Sequence, residues 1–289
     1  MNETGPLSKT LKLAHTNLKA LCWGDPADPP LLAIHGWLDN ANSFRPLAPL
    51  IDNYFVVAID LPGHGRSDHR PEHALYHFTD YVADVYQIAE FLGWSKFSIL
   101  GHSMGAGIAS LFAGTFADRV DKLLLIEGLG PLSIDENDLP ALLAQSVTQR
   151  FASSAKKRSI ALDKAIRARV QASPMKESSA RLLLERGLQL GMEGWQWRSD
   201  SRLRLPSPWR MSEAQVAGFL TAISAKTLLI TAIDDELWKG ITPQTRLEQV
   251  ADLTHLELPG RHHLHMDYPE QVAELINQFL SPQDVLKTG

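Results

Sequence analysis

"ILGHSMGAG", residues 99–107, places glycine, serine and glycine at alternate positions: Gly101, Ser103 and Gly105. An apolar, strand-like run precedes it ("FSILGHS", 97–103), and a small-residue helical run follows ("GAGIASLFAGTFA"). A serine at the apex of so tight a strand-to-helix turn is strained in φ and ψ. A glycine two residues away on each side lets the crowded backbone pack. The hydroxyl is then presented at the carboxyl edge of a sheet, where a helix N-terminus favours negative charge. Between a strand and a helix the pattern predicts a nucleophile; elsewhere it would mark a turn with a capping serine.

The flanking sequence predicts such a sheet. "LLAIHG" (31–36), "YFVVAID" (54–60), "DKLLLIEG" (121–128), "KTLLITAIDD" (226–235) and "HLELPG" (255–260) are short apolar runs ending in Gly or an acid. Helical spacing marks "DYVADVYQIAEFLG" (80–93) and "PEQVAELINQFL" (269–280), the latter with proline at its first position. Near-continuous apolar strands alternating with helices predict an α/β fold, a mostly parallel twisted sheet covered on both faces. "TLKLA" and "NLKALCW" near the N-terminus predict an antiparallel pair. From 131 to 219 the alternation breaks. Helices are expected around 138–151, 156–172 and 177–190, with no strand and a Trp-rich irregular piece, "GWQWRSDSRLRLPSPW". The expected organisation is a core of 1–130 and 220–289 interrupted by a helical insertion, 131–219.

A serine hydroxyl needs a base, and the base an orienting acid. On such a sheet the chain order is serine, acid, histidine. Asp234 and Asp235 end a late strand, and "LPGRHHLHMDYPE" (258–270) offers His262, His263 and His265 after the last one. Each lies at the carboxyl end of a strand, where α/β sheets place their sites. An oxyanion hole needs two backbone N–H groups. Met104 follows the nucleophile, and Trp37 follows His35 and Gly36 in the loop after "LLAIHG". His35 itself is expected to satisfy local backbone and to transfer no proton.

Of the 289 residues, 44% are apolar and 21% charged, and the formal net charge is −5. This balance argues against nucleic acid as a partner. No apolar run reaches the ~18 residues of a membrane span. The N-terminal stretch has no apolar leader segment and there is one cysteine, Cys22, so a cytoplasmic protein is expected. Nothing in the sequence sets an oligomeric state. His69, His73 and His77 have the spacing of a helical metal stripe, but Pro71 interrupts it and a surface loop is expected. In extended backbone His262 and His263 point opposite ways and do not share an ion. No cofactor and no metal are expected. The insertion carries more basic than acidic residues, a charge that would steer anionic substrates or merely solvate helix faces.

"LLAIHGWLDNANSFRPLAPL", "AIDLPGHGRSDH", "FSILGHSMGAGIASLFAGTFADRVDKLLLIE" and "LPGRHHLHMDYPE" together resemble the α/β-hydrolase superfamily across nearly the whole chain. "CWGDP", "HGWLDNANSF", "KFSILGHS", "RSDSRLR" and "PGRHHLHM" are similar, more narrowly, to the serine hydrolase-like proteins. That resemblance implies a nucleophilic serine and a helical cap inserted after the sixth strand. It implies a carboxylic ester hydrolase acting on a small-molecule acyl ester, without cofactor. Thioesterase, lactonase and C–C bond hydrolase activity on the same triad are the alternatives, and a non-catalytic small-molecule binder is the rival from another class. Counting back from Asp267 and Pro269, the family's spacing selects His262 as base. Many relatives have a glycine three residues before the acid, where Ala232 stands here, and this selects Asp235. Asp234 ranks second, and Glu127 third because some relatives place the acid there. Trp37, His102, Trp195, Trp197 and Trp209 form the expected substrate pocket, although the tryptophans serve equally well as anchors of the cap.

Overall fold

The computed structural model describes residues 5–152, 159–234 and 244–281. Eight strands form one sheet in the order β1-β2-β4-β3-β5-β6-β9-β10. These are β1 (Leu7–Lys12), β2 (Asn17–Trp23), β3 (Pro30–Ile34), β4 (Phe55–Ile59), β5 (Phe97–His102), β6 (Val120–Ile126), β9 (Lys226–Ala232) and β10 (Leu253–Leu258). β1 and β2 are the expected antiparallel pair and β2 also runs antiparallel to β4; every other pairing is parallel.

The strands read as unbroken apolar runs because both faces are covered. Along β4, Phe55, Val57 and Ile59 point into one core layer, and Val56 and Ala58 into the other. The period of two is thus hidden in composition but present in space. The first layer is closed by α1 (Asp80–Leu92) and α2 (Met104–Thr115), whose buried residues include Val85, Ile88, Ile108 and Phe112. α1 stops at Gly93, left-handed at φ 72°. The second layer is closed by the C-terminal helix Pro269–Leu280, through Val272, Ala273, Ile276 and Leu280.

Between β6 and β9 lie α3 (Leu139–Ala152), α4 (Leu162–Ala172), α5 (Glu177–Gly187) and α6 (Glu213–Leu220). The region expected to lack strands contains a hairpin, β7 (Leu188–Gly191) with β8 (Gly194–Trp197). Two glycines at its ends and alternating tryptophans are its only sequence signal, and four-residue strands are too short to show periodicity. α4, α5 and β7 build their own small core around Ile166, Leu183, Leu184 and Leu188. Helix α6 is different: Val216 and Leu220 pack in the main core beside α2. The expected boundary at 219 therefore falls inside an element that packs with the sheet.

Polar bonds dock the insertion onto the body. Arg186 Nε donates to both oxygens of buried Asp60, at 2.9 and 2.8 Å. Asn40 and Asn42 donate to the carbonyls of Leu183 and Leu182. Arg202, in the "RSDSRLR" stretch, donates to the carbonyls of Arg70, Pro71, Glu72 and Ala74. That bond set fixes the loop of His69 and His73, which is irregular as expected; His69 turns to Asp200 at 3.3 Å. Among the described residues no helix is long and apolar enough to cross a membrane.

Candidate active site

Ser103 sits between β5 and α2 at φ 53°, ψ −115°, a strained conformation for any residue with a side chain. The neighbouring glycines are required by backbone contact. A Cβ on Gly105 would lie 2.0 Å from the carbonyl oxygen of Ile34, and one on Gly101 would lie 2.5 Å from that of Gly105. The Ser103 amide donates to Ile126 O at 2.8 Å, which ties the elbow to β6.

The Ser103 hydroxyl oxygen is 2.8 Å from His262 Nε2. The histidine follows β10 beyond Gly260, whose φ of 138° opens the turn. On its other side, His262 Nδ1 is 3.2 Å from Glu127 Oε2. Glu127 directly follows β6 at φ 55° and is buried. Its amide donates to Ile230 O, and its Oε1 accepts from the amide of Ala232, so β9 holds both the backbone and the carboxylate. Asp235 lies outside the described residues. Asp234 is exposed, and its amide donates to Gly260 O at 3.2 Å; no hydrogen bond joins its side chain to His262.

Met104 N–H opens α2 above Ser103, and Trp37 N–H lies in the turn where Leu38 takes φ 59°. Neither amide has an acceptor among the described residues. The Trp37 ring is half exposed, and its Nε1 donates to Leu203 O of the insertion at 2.9 Å. Trp209 is exposed. Trp195 and Trp197 pack against the insertion's own core, and Trp197 also lines a small cavity with Leu38 and Asp39. His35 is buried with Nδ1 2.7 Å from Gly36 O, while its Nε2 accepts from the Leu61 amide: local backbone, as expected.

The other two histidines of "HHLH" leave the nucleophile, but for a different reason from the one expected. Residues 262–267 form a turn and a single helical turn rather than extended backbone, so the side chains fan out instead of alternating. His265 is buried with Nε2 2.7 Å from Ser43 Oγ. His263 Nε2 is 3.1 Å from Asp39 Oδ2, and its Nδ1 is 3.1 Å from Ser173 Oγ of the insertion. His102, expected in the pocket, is wholly buried behind Ser103. Its Nε2 is 2.8 Å from the main-chain carbonyl of His262, so it holds the backbone of that loop. Asp39 also pairs with Arg169 of α4. Burial opposes ionisation of Asp39, but the Arg169 guanidinium, with the hydrogen bond from His263, outweighs it and holds the carboxyl well below the usual range. Burial pushes His263 below its ordinary value, and His102 and His265 well below it. Sequence reasoning passed over Asp39 and Arg169, because nothing local marks two charges 130 residues apart as partners.

An elbow serine, a histidine in contact with it and two amides with no acceptor among the described residues, at the carboxyl edge of a parallel sheet, define a hydrolase class. The alpha/beta hydrolase fold profile matches residues 29–267, and the chain belongs to the α/β-hydrolase family. It is 34% identical over 280 residues to a serine hydrolase-like protein of Danio rerio, covering 92% of this chain and 86% of that one. It is 31% identical to serine hydrolase-like protein 2 of Homo sapiens, with 96% of each chain covered. Among solved structures, a hypothetical protein from Pseudomonas aeruginosa PAO1 superposes with a TM-score of 0.88 at 37% identity, covering 94% of this chain and 97% of that one. The thioesterase domain from the curacin biosynthetic pathway gives 0.83 at 26%, covering 94% and 99%.

Proposed function

We propose that the protein hydrolyses carboxylic esters of small molecules through an acyl-enzyme on Ser103. The observation that carries this reading is the 2.8 Å contact between the Ser103 hydroxyl and His262 Nε2 at a strained elbow. His262 Nε2 takes the hydroxyl proton as Ser103 Oγ attacks the acyl carbonyl. The amides of Trp37 and Met104 donate to the developing oxyanion, a contribution of roughly 2.7–4 kcal/mol per donor in such sites. His262 returns the proton to the leaving alkoxide, and a water molecule then repeats the cycle on the acyl-enzyme. The imidazole needs an acid at Nδ1 to hold its tautomer. Glu127 supports that role by its position 3.2 Å away, and Asp235 by its spacing in the family pattern. The segment between β6 and α6 is the cap that shapes the acyl or alcohol pocket, and the protein acts in the cytoplasm.

The similarity to a thioesterase domain favours one second reading, the same triad acting on an acyl thioester. The two share every step except the leaving group. A panel of p-nitrophenyl esters and acyl thioesters, run on wild type and Ser103→Ala, tests both. Turnover of esters that vanishes in Ser103→Ala supports the first; a strong preference for thioesters moves the assignment to the second. Turnover that persists in Ser103→Ala removes both.

A further inference from the structure

One cluster next to the site is not used by the hydrolytic chemistry. Asp39 Oδ2, His102 Nδ1 and His263 Nε2 are buried and lie within 4.8 Å of one another. Asp39 Oδ2 is 3.1 Å from His263 Nε2 and 3.7 Å from His102 Nδ1. A zinc-sized ion binds imidazole nitrogen at about 2.0–2.1 Å, so donors around a tetrahedral ion stand about 3.3 Å apart. The two separations from Asp39 Oδ2, 3.1 and 3.7 Å, bracket that spacing, and the two imidazole nitrogens lie within 4.8 Å of each other.

The protonation pattern matters more than the spacing. His102 Nε2 faces the carbonyl of His262 at 2.8 Å, and a carbonyl only accepts. The proton is therefore on Nε2, and Nδ1 of the neutral ring carries a lone pair. That atom is buried with no hydrogen-bond partner among the described residues. His263 Nε2 faces Asp39 Oδ2 at 3.1 Å, and a carboxylate only accepts, so with no ion bound that nitrogen carries the proton and Ser173 Oγ donates to Nδ1; Arg169 Nη2 lies 3.3 Å from the same Nε2. The His102 Nδ1 lone pair and the Asp39 oxygen are thus ready for an ion, and His263 joins them when its proton moves from Nε2 to Nδ1, which then donates to Ser173 Oγ; in that state each imidazole is held through its other nitrogen. This is the outer-shell arrangement that metal-binding histidines require. Gly36 packs against two of the donors: a Cβ there would lie 3.0 Å from His102 Nδ1 and 3.2 Å from Asp39 Oδ2, so any side chain would crowd them.

We infer that Asp39, His102 and His263 form a binding site for a first-row divalent transition metal of the zinc type, one layer behind the catalytic histidine. Imidazole with a carboxylate suits zinc, cobalt and nickel, and three protein ligands leave a fourth position open. Arg169 is the competitor. Its guanidinium pairs with Asp39 and reaches His263 Nε2, so the incoming cation must displace it from His263. Because His102 also holds the main chain of His262, occupancy is coupled to the geometry of the base, and added Zn²⁺ lowers ester turnover. This inference stands apart from the proposed hydrolysis: Ser103→Ala keeps the site.

Cobalt provides the test, because its visible absorption reports coordination without any assay of activity. Protein stripped with EDTA is titrated with Co²⁺ and then with Zn²⁺. The expected result is one Co²⁺ per chain, with an absorption band that Zn²⁺ abolishes. Affinity should fall at least about tenfold in His263→Gln and in Asp39→Asn. Arg169→Gln should bind more tightly than wild type, an outcome that misfolding cannot imitate. A combined His69→Asn, His73→Asn, His77→Asn variant should bind as wild type does. No band with Co²⁺ in excess would overturn the site. So would a band that survives His263→Gln, or one lost in the His69, His73 and His77 variant.

Discussion

Each residue of the site is defined by what its neighbours forbid. Gly105 is glycine because Ile34 O lies 2.0 Å from where a Cβ would stand, and both partners are backbone, so no rotamer relieves the clash. Gly105→Ala should therefore yield protein with little activity and a lowered urea midpoint, whereas Gly93→Ala, where a Cβ meets open space at φ 72°, should cost only the left-handed strain. His262→Ala should lower kcat by several orders of magnitude, as expected when one member of a concerted unit is lost. His265→Ala, whose imidazole faces Ser43 and not the nucleophile, should affect stability more than rate. The acid is assigned by comparing Glu127→Gln with Asp235→Asn. Loss of the orienting charge should cost roughly 10³–10⁴ in kcat at the true position. Steady-state rates at saturating substrate check all of these. Ser103 and His262 were legible because each sits in a motif whose spacing the turn geometry enforces. The Glu127 contact was less so: a carboxylate after β6 and a histidine after β10 meet only once β6, β9 and β10 are adjacent in the sheet. The His102 contact with the His262 carbonyl was hidden in the same way.

Among the elements, the strands and principal helices were readable because burial on both faces demands continuous apolar runs, and because Gly93 and Pro269 mark an end and a start. The hairpin β7–β8 was not. Its half-buried residues show no alternation, and its tryptophans pack on α4 and α5 rather than on the sheet. The docking of the insertion was also out of reach, since it rests on pairs such as Arg186 with Asp60, 126 residues apart in sequence. Both side chains are buried, and Asp60 also accepts from the amides of Ala41 and Arg66. Arg186→Ala leaves that carboxylate buried without its cation. Breaking such a pair costs about 3–5 kcal/mol, and the two amides should hold the loss near the lower end. Equilibrium urea unfolding measures it; a change below about 1 kcal/mol would show that the pair contributes little to docking.

Across the whole molecule, the histidines couple stability to pH. Burial lowers His35 and His263, pushes His102 and His265 well below their ordinary value, and pushes His64 down to about 3. The unfolded chain then binds more protons than the folded one below the ordinary histidine value of 6.5. The contribution of these groups is fully present above pH 6.5 and is lost as pH falls, down to about 3 for His64. Each titrating histidine adds a slope of about 1.4 kcal/mol per pH unit. Asp84, pushed up to about 6 by burial against the pull of Arg70, works the other way between 3.8 and 6, one group against several histidines, His255 among them. Unfolding free energy should therefore drop steeply between pH 6.5 and 5, and His64→Gln should flatten the drop. A pH-independent midpoint over that range would contradict the buried, neutral histidines. The central claim is that Ser103 is the nucleophile activated by His262, and reaction with a fluorophosphonate tests it most directly. Intact-mass analysis should show one adduct per chain, mapped to Ser103 by peptide sequencing, and no adduct in Ser103→Ala or in unfolded protein. A wild-type chain that stays unlabelled, or one that is labelled elsewhere, would contradict it.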